Sequence, residues 1–244
     1  MKRVSTLIIL AVLFCVTASG QATYERLQLK ADRFFDQHEW TQASATYYQM
    51  LEQRPDVPAT YGKAIVANAI RQDTVAEMNL LVKALQAKVP FDSVLSRVRS
   101  TSFELGKSNL YGDFLHRVRA EYPWMRRPID NYLLRYYTYR HDGARMVQFS
   151  KAMLQGDPKN RGFLLSLAQG AMLCGDYAEG VKTYEQMLAD NPADYDALLA
   201  LGNYYYLQGN DRGLALGYLE RAQEVRATPY VQTLLDKLRP KHHK

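Results

Sequence analysis

The sequence predicts an all-α fold, a right-handed superhelical solenoid of helix–turn–helix repeats. Three observations lead there. A proline recurs at a near-constant interval, small and aromatic residues fall at matching offsets between those prolines, and the apolar pattern has helical periodicity. Six of the nine prolines lie at 55, 90, 123, 158, 192 and 229, in steps of 35, 33, 35, 34 and 37 residues. Proline lacks an amide donor and clashes with the preceding turn of a helix, so a regularly spaced proline marks the end of a unit. Each interval has room for two helices of about 12 to 15 residues and their turns. Composition agrees: at 47% hydrophobic and 23% charged the 244-residue chain is globular rather than disordered. Its two cysteines exclude a disulfide-rich scaffold and a zinc knuckle.

Residues 1–20, MKRVSTLIILAVLFCVTASG, have the layout of a signal peptide. Lys2 and Arg3 form a positive start, Leu7 to Val16 is an apolar run, and Ala18 and Gly20 are the small residues expected before cleavage at Gln21. The apolar run is shorter than the roughly 20 residues needed to span a bilayer. The chain is therefore expected to be exported, in the periplasm or associated with the envelope. Cys15 is preceded by the bulky Phe14, which disfavours a lipoprotein signal, so membrane association is expected only if Cys15 is lipidated. Losing Lys2 and Arg3 with the leader lowers the formal charge from +6 to +4.

The units bounded by these prolines over 24–229 read as about six helical pairs. The unit from Tyr24 carries Ala31 and Phe34, a turn at His38-Glu39-Trp40, then Ala43, Tyr47, Met50 and Pro55. Unit 161–194 repeats these offsets with Leu164, Leu167, Ala168 and Ala171 on one helix face, a turn at Gly175-Asp176-Tyr177, then Gly180, Tyr184, Met187 and Pro192. Unit 195–229 has Leu198, Leu201, Gly202 and Tyr205, and its second helix (Ala215, Leu219, Ala222) runs one residue late, which implies an insertion between Asn210 and Gly213. The pattern degenerates over 59–160. Unit 59–91 keeps helical periodicity (Ile65, Ala69, Met78, Val82, Leu85) without the aromatics. Unit 92–126 puts Arg99 and Tyr111 where small residues are expected, so irregular packing is predicted there. Val231, Leu234, Leu235 and Leu238 predict a capping helix within 230–244, followed by a basic tail.

These residues resemble the tetratricopeptide repeat. In the first unit the family's small positions fall on Ala31 and Ala43, its aromatic positions on Phe34, Trp40 and Tyr47, and its closing positions on Met50 and Pro55. The resemblance implies that first helices line a concave groove for a protein or peptide. Its groove-facing positions fall on Phe35, Ile70, Phe103, Asn131, Arg135, Tyr139, Gln169, Met172, Asn203 and Tyr206. Aromatic and apolar side chains there would supply contact area, while amides and a guanidinium would pair with backbone and carboxylate. Packing between units is the alternative use of the same residues.

Motifs for chemistry are missing. None of the five histidines has a His or Cys partner at metal-ligand spacing, and no phosphate loop, HExxH or G-x-S-x-G occurs. Asp194 and Asp196 stand at a helix start, where they offset the positive end of the dipole. Cys174, in an apolar stretch, reads as a buried thiol. No enzyme, cofactor or metal site is expected. Charge is uneven, with 12 basic and 7 acidic residues over 91–160 and 5 and 9 over 161–229. The arginines at 97, 99, 117, 119, 126 and 127 suit an acidic segment, an anionic membrane or plain solvation. A net +4 in an exported chain excludes nucleic acid as a partner. The expected function is a non-catalytic protein- or peptide-binding scaffold or adaptor in the cell envelope. Two rivals stand beside it. One is a structural subunit, a lipoprotein if Cys15 is lipidated, of an outer-membrane or envelope assembly complex. The other is an enzyme or sugar-handling protein with a site in the irregular middle, near His116 or His141.

Overall fold

A computed structural model describes residues 23–239. The signal-peptide residues and the end of the basic tail lie outside these. Among the described residues all regular structure is helical. The helices are α1 (23–36), α2 (Trp40–Gln53), α3 (Pro58–Ile70), α4 (Thr74–Gln86), α5 (Phe91–Glu104) and α6 (Ser108–Glu121), then a 3-10 turn (Pro123–Met125). They continue with α7 (Arg126–Tyr139), α8 (Gly143–Leu154), α9 (Arg161–Leu173), α10 (Tyr177–Asp190), α11 (Tyr195–Leu207), α12 (Arg212–Val225) and α13 (Pro229–Leu238). The six periodic prolines all fall at boundaries. Pro55, Pro158 and Pro192 lie between helices, Pro90 precedes the first residue of α5, Pro123 opens the 3-10 turn, and Pro229 is the first residue of α13. Proline is tolerated at a first helical position because that amide has no partner to lose. The all-α helical-repeat class predicted from the sequence is the class observed.

A second clock runs at the other end of each pair. The reversals between paired helices each place one residue at positive φ: His38, Gln72, Gly106, His141, Gly175 and Asn210. In five of the six turns the next amide donates to the carbonyl five residues earlier. Glu39 reaches Phe34, Asp73 reaches Asn68, Lys107 reaches Ser102, Asp142 reaches Tyr137 and Asp176 reaches Ala171, at 2.8–3.2 Å. This closure satisfies carbonyls left open at the end of the first helix. The next helix then starts at once. Asp73, Asp142, Asp176 and Asp211 cap α4, α8, α10 and α12, each accepting from the amide three residues on, a cap worth about 1 kcal/mol. The sixth turn is one residue longer, and there the Asp211 amide reaches back six residues to Tyr205.

The chain forms two compact units that meet within α7, residues up to Ile129 and residues from Asp130. The first unit buries Tyr61, Ile65, Leu80, Leu81, Leu95, Phe114 and Leu115. The helices of the degenerate stretch are as regular as their neighbours, but their contacts are unusual. Tyr111, at a position expected to be small, is buried edge-on against Phe103 at 6.4 Å. The equivalent residue of the preceding pair is Glu77, whose side chain is wholly buried. Arg117 of α6 donates through Nη2 to its Oε1 at 2.9 Å, while Oε2 is held only as an ion-pair contact and the Arg117 Nε lacks a hydrogen-bond partner.

The second unit is built on two clusters. Leu164, Ala168, Tyr184, Met187, Leu198 and Leu201 join α9, α10 and α11. Ala215, Leu219, Val231, Leu234, Leu235 and Leu238 seat α13 against α12. Arg161 ties the starts of α9 and α11 together, donating to Asp194 through Nε (2.6 Å) and Nη2 (2.9 Å) and to Asp196 (2.6 Å). Burial pushes the Asp194 carboxyl up. Hydrogen bonds from Arg161 and from the Ala197 and Asp196 amides outweigh that and hold it below its ordinary value. The acidic pair at this helix start is therefore a clasp. One expectation is corrected here. Cys174 is exposed, because it is the C-cap residue of α9, where the apolar face of the helix has ended.

Glu77 makes the first unit sensitive to pH. Burial raises its carboxyl from 4.5 to about 7; Arg117 opposes the rise and Asp113 and Asp73 add to it. Between those values the folded chain keeps a proton that the unfolded chain releases, so stability is full below about 4.5 and falls as pH rises through about 7. Glu77→Gln mimics the protonated form at every pH. The melting temperature of the wild type should therefore drop relative to Glu77→Gln between pH ~5 and ~8, measured by circular dichroism. A constant difference would show that Glu77 stays ionised.

Candidate functional site

The second unit holds a cavity of about 440 Å3, within the usual range of roughly 300–1,000 Å3 for ligand pockets. It lies where α7, α9 and α11 approach their turns. Gln169, Met172 and Leu173 of α9 face Ala200, Asn203, Tyr204 and Leu207 of α11. Thr138, His141 and Met146 close one end, Gln208 lies beyond Leu207, and α10 contributes Tyr177 and Tyr184.

Small residues make this arrangement possible. A Cβ at Gly170 would sit 2.8 Å from the Met146 Cβ and 2.9 Å from the Gly143 carbonyl oxygen. A Cβ at Gly143 would sit 2.8 Å from the Gly170 oxygen. The α8 and α9 backbones thus touch through two glycines, which brings Met146 beside α9. Gly180 leaves the room that Met172 fills, its side chain 3.0 Å from where a Cβ would stand. Tyr204 packs on Tyr177 at 5.5 Å and fixes the opposite wall.

The three consecutive tyrosines of α11 serve three surroundings. Tyr204 faces the cavity, Tyr205 stacks on Tyr218 at 5.8 Å with rings 5° from parallel, and Tyr206 packs against the C-terminal cluster. The lip is apolar and open, with Leu173 53%, Leu207 67% and Tyr177 37% exposed. No Asp or Glu lines the cavity. Burial, then Asp196, pushes the Tyr184 phenol well above its ordinary value, so it remains a neutral hydroxyl. Asn203 accepts from the Tyr230 hydroxyl at 3.1 Å, which orients its amide. The chemistry on offer is apolar contact with a few neutral hydrogen bonds. Among the described residues, no group of three or more His, Cys, Asp or Glu is placed to hold a metal ion.

The structure scatters the residues read from the sequence as one groove. Gln169, Met172 and Asn203 come together in the cavity. Asn131, Arg135 and Tyr139 are exposed on α7 outside its lining, and Tyr206 turns to the C-terminal cluster. In the first unit Ile70 and Phe103 are half-buried, and the Arg99 guanidinium covers Phe103 at 5.4 Å. Phe35 is a correction. It is buried, packed edge-on against Trp40 at 5.1 Å and Tyr47 at 6.1 Å, so it belongs to the core. Its neighbour Asp32 is engaged by Tyr47 (2.9 Å) and Lys63 (2.8 Å). The residues missed were Leu173, Leu207 and Tyr177. Their signal was an apolar residue immediately flanking a helix reversal, where solvent-facing polar residues are usual.

No family model and no curated protein matches the chain. Solved structures do. The C-terminal part of a TPR repeat-containing protein from Cytophaga hutchinsonii is 14% identical, with a TM-score of 0.51 over 85% of this chain and 83% of that one. A tetratricopeptide repeat protein from Parabacteroides merdae is 14% identical, with a TM-score of 0.43 over 89% and 99%. The TPR2AB domain of yeast Sti1, in complex with pHSP90, is 12% identical, with a TM-score of 0.40 over 89% and 99%. The first of these likenesses gives the fold and nothing about activity.

The glycine contact yields a prediction. Gly170→Ala should destabilise the second unit by about 1–3 kcal/mol, the usual cost of overpacking, because the blocking atom at Gly143 is backbone. Denaturant unfolding checks it. Gly217→Ala, where a Cβ meets nothing within 4 Å, serves as the control and should be neutral or stabilising.

Proposed function

We propose that this chain, a tetratricopeptide-repeat protein by its fold, is a non-catalytic protein- or peptide-binding scaffold of the cell envelope. Its partner is anchored by an apolar side chain in the cavity of the second unit. The observation that carries this reading is the cavity itself, with walls free of Asp, Glu, Lys and Arg, three side-chain amides and an open lip of Leu173, Leu207 and Tyr177. Large apolar residues left exposed around a depression are a mark of interaction sites, because water is displaced from both surfaces on contact. Gln169 and Asn203 supply neutral donors and acceptors suited to a peptide backbone. The envelope address rests on residues 1–20 alone.

The test combines Ala200→Phe, which fills the cavity, with Leu173→Glu/Leu207→Glu, which charges its lip. Partners are captured from envelope extract by cross-linking and identified by mass spectrometry. Both variants should keep the wild-type melting curve within ~1 kcal/mol in stability and lose the same partner. Affinity for that partner should fall by about tenfold or more, at least ~1.4 kcal/mol. An unchanged partner set with either variant would remove the cavity from the function.

A further inference from the structure

The arginines of the middle stretch are used unequally. Arg117 is committed to Glu77 and Arg99 covers Phe103. Arg126 and Arg127 are exposed, and they follow directly on the 3-10 turn Pro123–Met125. That turn is a stiff mount. Met125 is buried, its amide donates to the Tyr122 carbonyl at 2.9 Å, and the Arg126 amide donates to the Pro123 carbonyl. With Met125 turned inward, Trp124 is held outward, 70% exposed, with Tyr122 edge-on behind it at 6.1 Å. None of the other unit boundaries carries a tryptophan, so the fold itself does not require an indole here.

We propose that Trp124, Arg126 and Arg127 form a docking tip for an anionic phospholipid surface. An indole joins an apolar ring to one N–H donor and gains most at the level of lipid headgroups. Each arginine near an anionic bilayer adds about 1 kcal/mol, within a Debye length of the surface. Glu121 and Asp130 are the acidic residues nearest in sequence, the first exposed and the second buried. An acidic peptide would answer the arginines but would leave an outward-pointing ring without the apolar surroundings it needs, whereas a bilayer answers both. This attachment is independent of lipidation at Cys15 and of the cavity in the second unit.

The sequence has two tryptophans, so Trp40→Phe leaves Trp124 as the single reporter in the full chain. It is mixed with vesicles of phosphatidylglycerol and phosphatidylethanolamine, or of phosphatidylcholine, with and without brominated acyl chains. On the anionic vesicles Trp124 emission should shift to shorter wavelength and be quenched by bromine, and on phosphatidylcholine it should do neither. Arg126→Glu, at an exposed residue, should lower partitioning by roughly tenfold with an unchanged melting temperature. Three outcomes would overturn the proposal. Vesicle binding without quenching of Trp124 would assign attachment to the leader. Equal behaviour on both lipids would exclude a charge-based site. A polyglutamate peptide that shifts Trp124 emission in lipid-free buffer, with no effect of vesicles, would make this a protein-binding tip.

Discussion

The reversal between paired helices is the constraint from which the rest follows. Two helices of 12 to 14 residues can lie against each other only if the chain turns back within a few residues, and one left-handed residue achieves this. Gly106 and Gly175 adopt that conformation freely, while His38, Gln72, His141 and Asn210 adopt it at a cost of roughly 1–2 kcal/mol. The back-bonded amides and the aspartate caps that follow offset that cost. What recurs is thus a backbone conformation, and side-chain identity at the turn is free to drift.

That freedom explains how far the fold was legible in the sequence. The boundary prolines announced the period because no other residue has their backbone chemistry. The turns were recognised at Gly175-Asp176, around His38 and between Asn210 and Gly213, and passed over at Gln72-Asp73, where nothing in the residue types betrays positive φ. The small positions drifted as well. Ala31 with Ala43, and Ala168 with Gly180, keep the repeat recognisable, while Glu77, Tyr111 and Met146 occupy the corresponding places in the middle pairs. Each substitution is absorbed by a residue outside the repeat pattern. Arg117 meets Glu77 from 40 positions away, Phe103 meets Tyr111, and Gly143 and Gly170 supply next to Met146 the close approach that a small residue there would have given. Single-sequence periodicity registers the departures but not the compensations, so regular helices read as irregular.

The candidate site was legible by face and not by residue. The first-helix rule selected Gln169, Met172 and Asn203, which line the cavity, and also Phe35, which the neighbouring Trp40 and Tyr47 enclose. Whether a face is open depends on the bulk of the helix beside it. Phe35 is enclosed by Trp40 and Tyr47, whereas Met172 lies over Gly180 and still lines the cavity. Cys174 shows the converse error. An apolar run predicts burial along a helix, but the run ends at a cap, and a cap faces water.

The character of the cavity also follows from the repeat. Its walls come from consecutive first helices at the ends nearest their turns, and the aspartate caps nearby, Asp142 and Asp176, have their carboxylates occupied by the amides of Arg145 and Glu179. Capping therefore draws acidic groups toward backbone donors and away from the space between α9 and α11. The space left is bounded by side chains that cannot carry a negative charge at neutral pH, including a phenol held neutral by its own burial. A surface of this kind discriminates by shape and by the cost of leaving amides unpaired, and it gives little hold to a charged group. The device that builds each turn thus sets the polarity of what can bind beside it.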